Sequence, residues 1–154
     1  MMEFESLKGK VEIVSATVYD LKALIPVYKE VFKVHDIFTK SDAEIISYFE
    51  KVVDDFLVAK INGKTVGGVL VKKKDDEWRI NHLVVADGYR DLNIGSYLLK
   101  AAESRIGSGK ISVHLSANEE AALPFYKKMG FSVEKEEVGY YRPGEKVFFL
   151  VKEI

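Results

Sequence analysis

Apolar positions recur at two spacings along this chain. VEIVSAT (Val11 to Thr17) alternates apolar and polar in part and is rich in β-branched residues, which predicts a strand. Leu21, Leu24, Ile25, Tyr28, Val31 and Phe32 then fall at helical spacing, with Asp20 placed to cap and Pro26 predicting a kink or a later start. SDAE at Ser41 to Glu44 fits a capping box, in which each end of the motif satisfies a backbone N–H of the first turn. Ile45, Phe49, Val52, Val53 and Phe56 supply the apolar face of that second helix. DFLVAKINGKTVGGVLVKKK and, after KDDE, WRINHLVV form three strand-like runs joined by Asn62-Gly63, a strong hairpin signal, and by a charged turn.

Ile94 to Ile106 carries Ile94, Tyr97, Leu98, Ala101, Ala102 and Arg105 close to one helical face and stops at Gly107-Ser108-Gly109. ISVHLS (Ile111 to Ser116) is a strand. A fourth helix holds Ala122, Phe125, Tyr126 and Met129, with Pro124 tolerable only in its first turn and Gly130 closing it. FSVEKEEVGYY, a Pro143-Gly144 turn and EKVFFLVKEI make a last hairpin. The expected fold is α+β, a three-layer α/β arrangement of about four helices on a mixed, mostly antiparallel seven-stranded sheet. The fourth strand, its helix and the fifth strand form a βαβ crossover, which makes that pair parallel.

Composition narrows the partners more than the fold. With 154 residues and 47% hydrophobic content, one core and a single domain spanning 1–154 are expected. Lys and Arg total 23 against 24 Asp and Glu, so no field of one sign draws in nucleic acid or an anionic membrane. Cysteine is absent, which removes disulfides, thiolate metal sites and cysteine nucleophiles. MMEFESLKGK lacks the apolar core of a signal peptide, and no run nears the roughly 18 to 20 apolar residues of a membrane span. A cytoplasmic location is the expectation.

Candidate chemistry concentrates in YRDLNIGS (Tyr89 to Ser96), where a strand hands over to a helix. Asn93 and Gly95 tolerate left-handed backbone, so the stretch reads either as a tight turn or as a phosphate cradle of converging N–H groups at a helix N-terminus. It also falls beyond the carboxyl end of a parallel strand, a place ligands favour.

HLVVADGYRDLNIGSYLL resembles motif A of the GNAT superfamily of N-acetyltransferases, whose loop reads Gln or Arg, two residues, Gly, any residue, Gly or Ala. Arg90 and Gly95 match, and Asn93 stands in the place of the first Gly. SANEEAALPFYKKMGF resembles motif B, with Ala122, Tyr126, Gly130 and Phe131 in register and Asn118 one residue further upstream than is usual. The resemblance implies acetyl-coenzyme A as cosubstrate. Its pantetheine would lie along the fourth strand and bond the backbone at Leu83, Val84 and Val85. The pyrophosphate would rest on the N–H groups of Arg90, Asp91, Leu92, Asn93, Ile94, Gly95 and Ser96, with Asn118 and Phe125 also on the cofactor side. It assigns Tyr126 as proton donor to the departing thiolate, and a free N–H at Val84 or Val85, where the strand would bulge, to the oxyanion.

The base stays open. Asn81 and Arg79 occupy the positions where some family members carry one, and neither is a base at neutral pH. His82, His114, Glu30, His35 and Glu44 are alternatives, as is a water chain ordered by Asn81. Tyr140 and Tyr141, with the Gly-Glu that follows, resemble the tyrosine pair of the protein N-terminal acetyltransferase branch; with Asn81 they are the candidate acceptor residues. The implied activity is direct attack of a primary amine, small molecule or peptide N-terminus, on acetyl-coenzyme A in a ternary complex. The alternative is a non-catalytic acyl-coenzyme A sensor. No metal, nucleic acid or membrane partner is expected, and a homodimer stays open.

Overall fold

The charged N-terminus, unassigned in the pattern above, forms a strand. The computed structural model describes residues 2–33, 35–119 and 121–154. In it β1 (Met2–Ser6) pairs antiparallel with β2 (Gly9–Ser15). Met2, Phe4 and Ser6 are half-buried while Glu3 and Glu5 face solvent, the period-two pattern of an edge strand. The sheet therefore has eight strands among the described residues, not seven, in the order β1-β2-β3-β4-β5-β6-β8-β7. The others are β3 (Phe56–Ile61), β4 (Lys64–Lys74), β5 (Glu77–Val85), β6 (Lys110–Ser116), β7 (Ser132–Val138) and β8 (Lys146–Glu153).

Among the described residues there are five α-helices where about four were expected. The first helical run splits into α1 (Val18–Ala23) and α2 (Ile25–Val31), because Pro26 has no N–H to continue α1 and sits instead in the first turn of α2. Thr17, not Asp20, is the N-cap of α1. Asp20 is its reciprocal partner, accepting the Thr17 N–H at 2.9 Å while the Thr17 hydroxyl accepts the Asp20 N–H at 3.2 Å. In α3 (Asp42–Val52) Ser41 caps as expected, but the Glu44 carboxylate accepts from the Ser41 hydroxyl at 3.0 Å and not from its backbone. That helix stops short of Val53, which enters a 3-10 turn, and of Phe56, which opens β3. The remaining helices are α4 (Ile94–Ile106) and α5 (Ala122–Lys128). The hairpin signal at Asn62-Gly63 holds, with φ of 50° and 79°.

The chain divides into two compact units, one comprising the segment up to Val71 with His82–Arg105, the other Lys72–Asn81 with Ile106–Ile154. In the first, Gly67 and Gly68 of β4 point to opposite faces of the sheet. A methyl on Gly67 would lie 2.9 Å from the Val84 carbonyl oxygen and 3.2 Å from Leu98, whereas one on Gly68 would lie 3.0 Å from the Tyr28 hydroxyl and 3.1 Å from Leu24. So α4 packs on one face and α1 and α2 on the other, each close only because β4 lacks side chains there. The α1–α3 face closes over a core of Leu21, Leu24, Tyr28, Ile45, Phe49 and Phe56. In the second unit β8 pairs antiparallel with both β6 and β7 around buried Ile111, Val113, Tyr126, Phe131 and Leu150. β5 joins β6 by three parallel pairs, ending at Arg79 and Ser112. No helix of the described residues is long and apolar enough to cross a membrane.

Candidate active site

The loop after β5 belongs to the first unit and is built from left-handed residues. Gly88, Asp91 and Asn93 have φ of 83°, 63° and 64°, so Asn93 takes the conformation expected of it, and Asp91 takes it too with its side chain exposed. The Asn93 carbonyl accepts the Tyr97 N–H at 3.1 Å and starts α4. Among the described residues, the backbone N–H groups of residues 90–96 donate to no backbone carbonyl. Successive unpaired donors at the positive end of a 13-residue helix suit an anion. The Ile94 side chain is buried, so only its backbone is available.

Arg90 does not reach outward. Its Nε donates to the Val85 carbonyl at 3.2 Å and its Nη1 pairs with Asp87 at 2.8 Å, which folds the loop onto the end of β5. The loop is held from elsewhere by residues that sequence reasoning missed. Lys8 donates from Nζ to the Gly88 carbonyl, and Lys8 and Lys64 lie 4.9 and 5.2 Å from the Tyr89 ring centroid. Phe4 of β1 stacks on Tyr97 of α4 at 3.9 Å.

Within β5 the left-handed residue is His82, with φ of 54°, two positions before Val84. Its carbonyl accepts the Tyr28 hydroxyl at 3.0 Å, and its Nε2 meets the Tyr48 hydroxyl at 3.0 Å. Phe32, Phe38 and Phe56 crowd the ring. Burial, and then His35, pull the His82 pKa down to about 3, so it is a neutral, hydrogen-bonded core group and a poor base. Val84 is buried, and Leu83 and Val85 are half-buried. Of the other first-unit base candidates, Glu44 is occupied by the α3 cap, while Glu30 pairs with Lys33 at 3.3 Å beside a cleft of about 210 Å³ that Arg90 also lines. His35 precedes the 3-10 turn Asp36–Thr39 and lies 4.7 Å from the Phe32 ring.

The second unit holds Tyr126, Asn118, Phe125, Asn81, Tyr140 and Tyr141. The Tyr126 ring is buried between Phe125 at 5.1 Å and Phe131 at 5.4 Å, and among the described residues its hydroxyl makes no hydrogen bond. Burial, and then Glu119, push that phenol well above its ordinary pKa, so it stays protonated. Asn118 is exposed in the turn after β6, its N–H received by Ser116 Oγ at 3.2 Å. Asn81 is half-buried. Tyr140 and Tyr141 stand 49% and 55% exposed in the turn between β7 and β8. The Tyr141 hydroxyl lies 2.9 Å from His114 Nδ1, and Tyr140 meets the His114 ring edge-on at 5.9 Å. Burial, and then Arg79, lower the His114 pKa to about 4, leaving a neutral imidazole at pH 7. The alternation of buried Ile111, Val113 and Leu115 already puts His114 on the less buried face of β6; its partner comes from 27 residues away and has no local signal.

A loop of bare N–H groups at the start of α4 suits an anionic ligand. Among known families, the profile described as acetyltransferase (GNAT) domain matches residues 53–133, over half of the chain. The chain belongs to the GNAT acetyltransferase family and is an acetyl-coenzyme A-dependent acetyltransferase. An uncharacterized N-acetyltransferase of Methanocaldococcus jannaschii is 28% identical over 86% of this chain and 85% of its own. N-alpha-acetyltransferase 50 of Danio rerio is 25% identical over 88% of this chain and 83% of its own. Among solved structures, Arabidopsis thaliana Naa50 in complex with the bisubstrate analogue CoA-Ac-MVNAL has a TM-score of 0.73 at 24% identity, covering 94% of this chain and 99% of that one.

Proposed function

We propose that the acceptor is the α-amino group of a peptide N-terminus, acetylated by direct attack within a ternary complex. The observation that carries this reading is the His114–Tyr141 pair, a neutral imidazole held beside two exposed tyrosines in one turn. Tyrosine pairs of this kind offer flat apolar area and hydroxyl donors to a peptide backbone. The zebrafish relative carries an N-alpha-acetyltransferase name, and the Arabidopsis neighbour holds coenzyme A joined through acetyl to a peptide.

In this mechanism, N–H groups of residues 90–96 bind the pyrophosphate and the β5 backbone at Leu83 to Val85 bonds the pantetheine amides. The amine nitrogen attacks the thioester carbonyl, whose oxygen is received by the Val84 or Val85 N–H. His114, with Nδ1–H donating to the Tyr141 oxygen, keeps Nε2 as acceptor for the proton that the nitrogen sheds after attack. A base this weak takes a proton from the newly acylated, acidified nitrogen and not from a free ammonium. The carbon–sulfur bond then breaks, and the Tyr126 phenol passes its proton to the thiolate.

Thiol release from acetyl-coenzyme A, measured across short peptides of varied first residue beside polyamines, aminoglycosides and amino acids, tests the acceptor. Peptides are expected to exceed the small amines at least tenfold in kcat/KM. The reverse ranking overturns the peptide reading, and tight binding with no thiol release from any amine identifies a sensor.

A further inference from the structure

Glu145 carries a role that neither motif suggests. Its side chain is only 6% exposed, immediately before β8 and after the turn that bears Tyr140 and Tyr141. Oε2 receives Ser116 Oγ at 2.9 Å, Arg142 Nε at 3.2 Å and Arg142 Nη2 at 2.5 Å. Oε1 is buried and, among the described residues, meets no donor. A buried carboxylate with three donors on one oxygen and none on the other is not arranged for greatest stability. Its orientation is set by where Ser116 and Arg142 have to be.

Ser116 is the informative partner. Its hydroxyl donates to Glu145 and accepts the Asn118 N–H at 3.2 Å, so one side chain joins the Glu145 carboxylate to the turn that carries Asn118. Arg142 reaches Glu145 from inside the tyrosine turn, and the Gly139 N–H to Glu145 carbonyl bond at 2.8 Å closes that turn on itself. A continuous chain of hydrogen bonds therefore runs Arg142, Glu145, Ser116, Asn118.

We infer that Glu145 is a positioning residue that couples the acceptor turn, Tyr140 and Tyr141, to the cofactor-side turn at Asn118, so that occupation of one turn orders the other. The inference rests on the acetyltransferase reading for the identity of the two sides. Ligand binding at Asn118 changes the load on Ser116, which passes through a stiff, desolvated carboxylate to Arg142 and the tyrosines.

Ser116→Ala cuts this chain with little threat to the fold, because the Ala117 N–H to Lys146 carbonyl bond at 2.8 Å still joins the same two regions. The test is an NMR titration of ¹⁵N-tyrosine-labelled full-length protein with coenzyme A, with calorimetry alongside. In the unmutated protein, coenzyme A is expected to shift the Tyr140 and Tyr141 amide signals. In Ser116→Ala those shifts fall by at least half at saturation, and coenzyme A binds roughly three- to tenfold more weakly, the loss of one ordinary hydrogen bond. Glu145→Gln, which keeps an acceptor but not the charge, falls between the two. Equal tyrosine shifts in Ser116→Ala and the unmutated protein overturn the coupling while leaving the acetyltransferase reading intact. An unmutated protein that binds no coenzyme A overturns that reading and this inference with it.

Discussion

Tyr126 illustrates how an environment selects a role for a residue. A half-exposed phenol with a partner would be held by that partner; this one has a buried ring, no hydrogen bond among the described residues, and a pKa pushed up by burial. It is a donor that stays loaded at neutral pH. Tyr126→Phe keeps the ring packing against Phe125 and Phe131 and removes only the hydroxyl, so turnover should fall about 10²-fold with coenzyme A affinity changed less than twofold. Steady-state kinetics with calorimetry checks both, and full activity in Tyr126→Phe would remove the residue from the mechanism. Asn93 presents the opposite case, a residue chosen for its backbone. At φ of 64° an alanine costs roughly 1 to 2 kcal/mol more than a residue at ease in left-handed space. Asn93→Ala should therefore lower the urea midpoint and weaken coenzyme A, whereas Asn93→Gly should preserve both.

At the scale of elements, the site depends on how closely β4 lets its neighbours approach. A Cβ at Gly67 would come within 2.9 Å of the Val84 carbonyl oxygen, a backbone atom that cannot swing aside, so β5 or α4 must move. Gly67→Ala should cost about 1 to 3 kcal/mol in chemical denaturation. It should also weaken coenzyme A more than Gly68→Ala does, because Gly68 faces Tyr28 and Leu24 on the other side. The loop's conformation was legible in part because it is local: Asn93 takes the left-handed backbone its type favours, whereas Gly95 lies inside α4 without positive φ, and Gly88 and Asp91 supply the other left-handed positions. The strand in MEFES was not legible, because five residues, two of them glutamates, fall below what period alone can separate from an irregular end. What could not be read were ties between distant residues, such as Lys8 on Gly88 or Tyr141 on His114, since side-chain meeting points depend on packing and carry no spacing rule. The helix split at Pro26 was visible as a kink and became a break because Leu24 is followed at once by a second first turn.

For the molecule as a whole, these groups make stability depend on pH in a definite direction. His82 and His114 are held neutral in the folded protein, with pKa values of about 3 and about 4, against about 6.5 in the unfolded chain. Between those limits the unfolded chain binds protons that the folded one refuses, so stability is complete above about pH 6.5 and declines as the pH falls toward 4. Asp20 extends the decline. Burial alone would raise its carboxyl, but the Thr17 N–H, Lys60 at 3.1 Å, the Thr17 hydroxyl and Thr65 outweigh it and hold the pKa below the ordinary carboxylate value. Its contribution is present above the unfolded pKa near 4 and is lost as the pH falls through the lower folded value. Urea unfolding from pH 7 to 4 should thus show an uptake from these two histidines approaching two protons near pH 5, with the His114 share smaller because that ring is only partly withdrawn from water. His82→Asn, which keeps a residue tolerant of φ 54° and the carbonyl that Tyr28 binds, should remove about one proton from the uptake. An unchanged pH slope in His82→Asn would show that His82 is already protonated in the folded state, and its hydrogen bond to Tyr48 would then need the charged ring as donor.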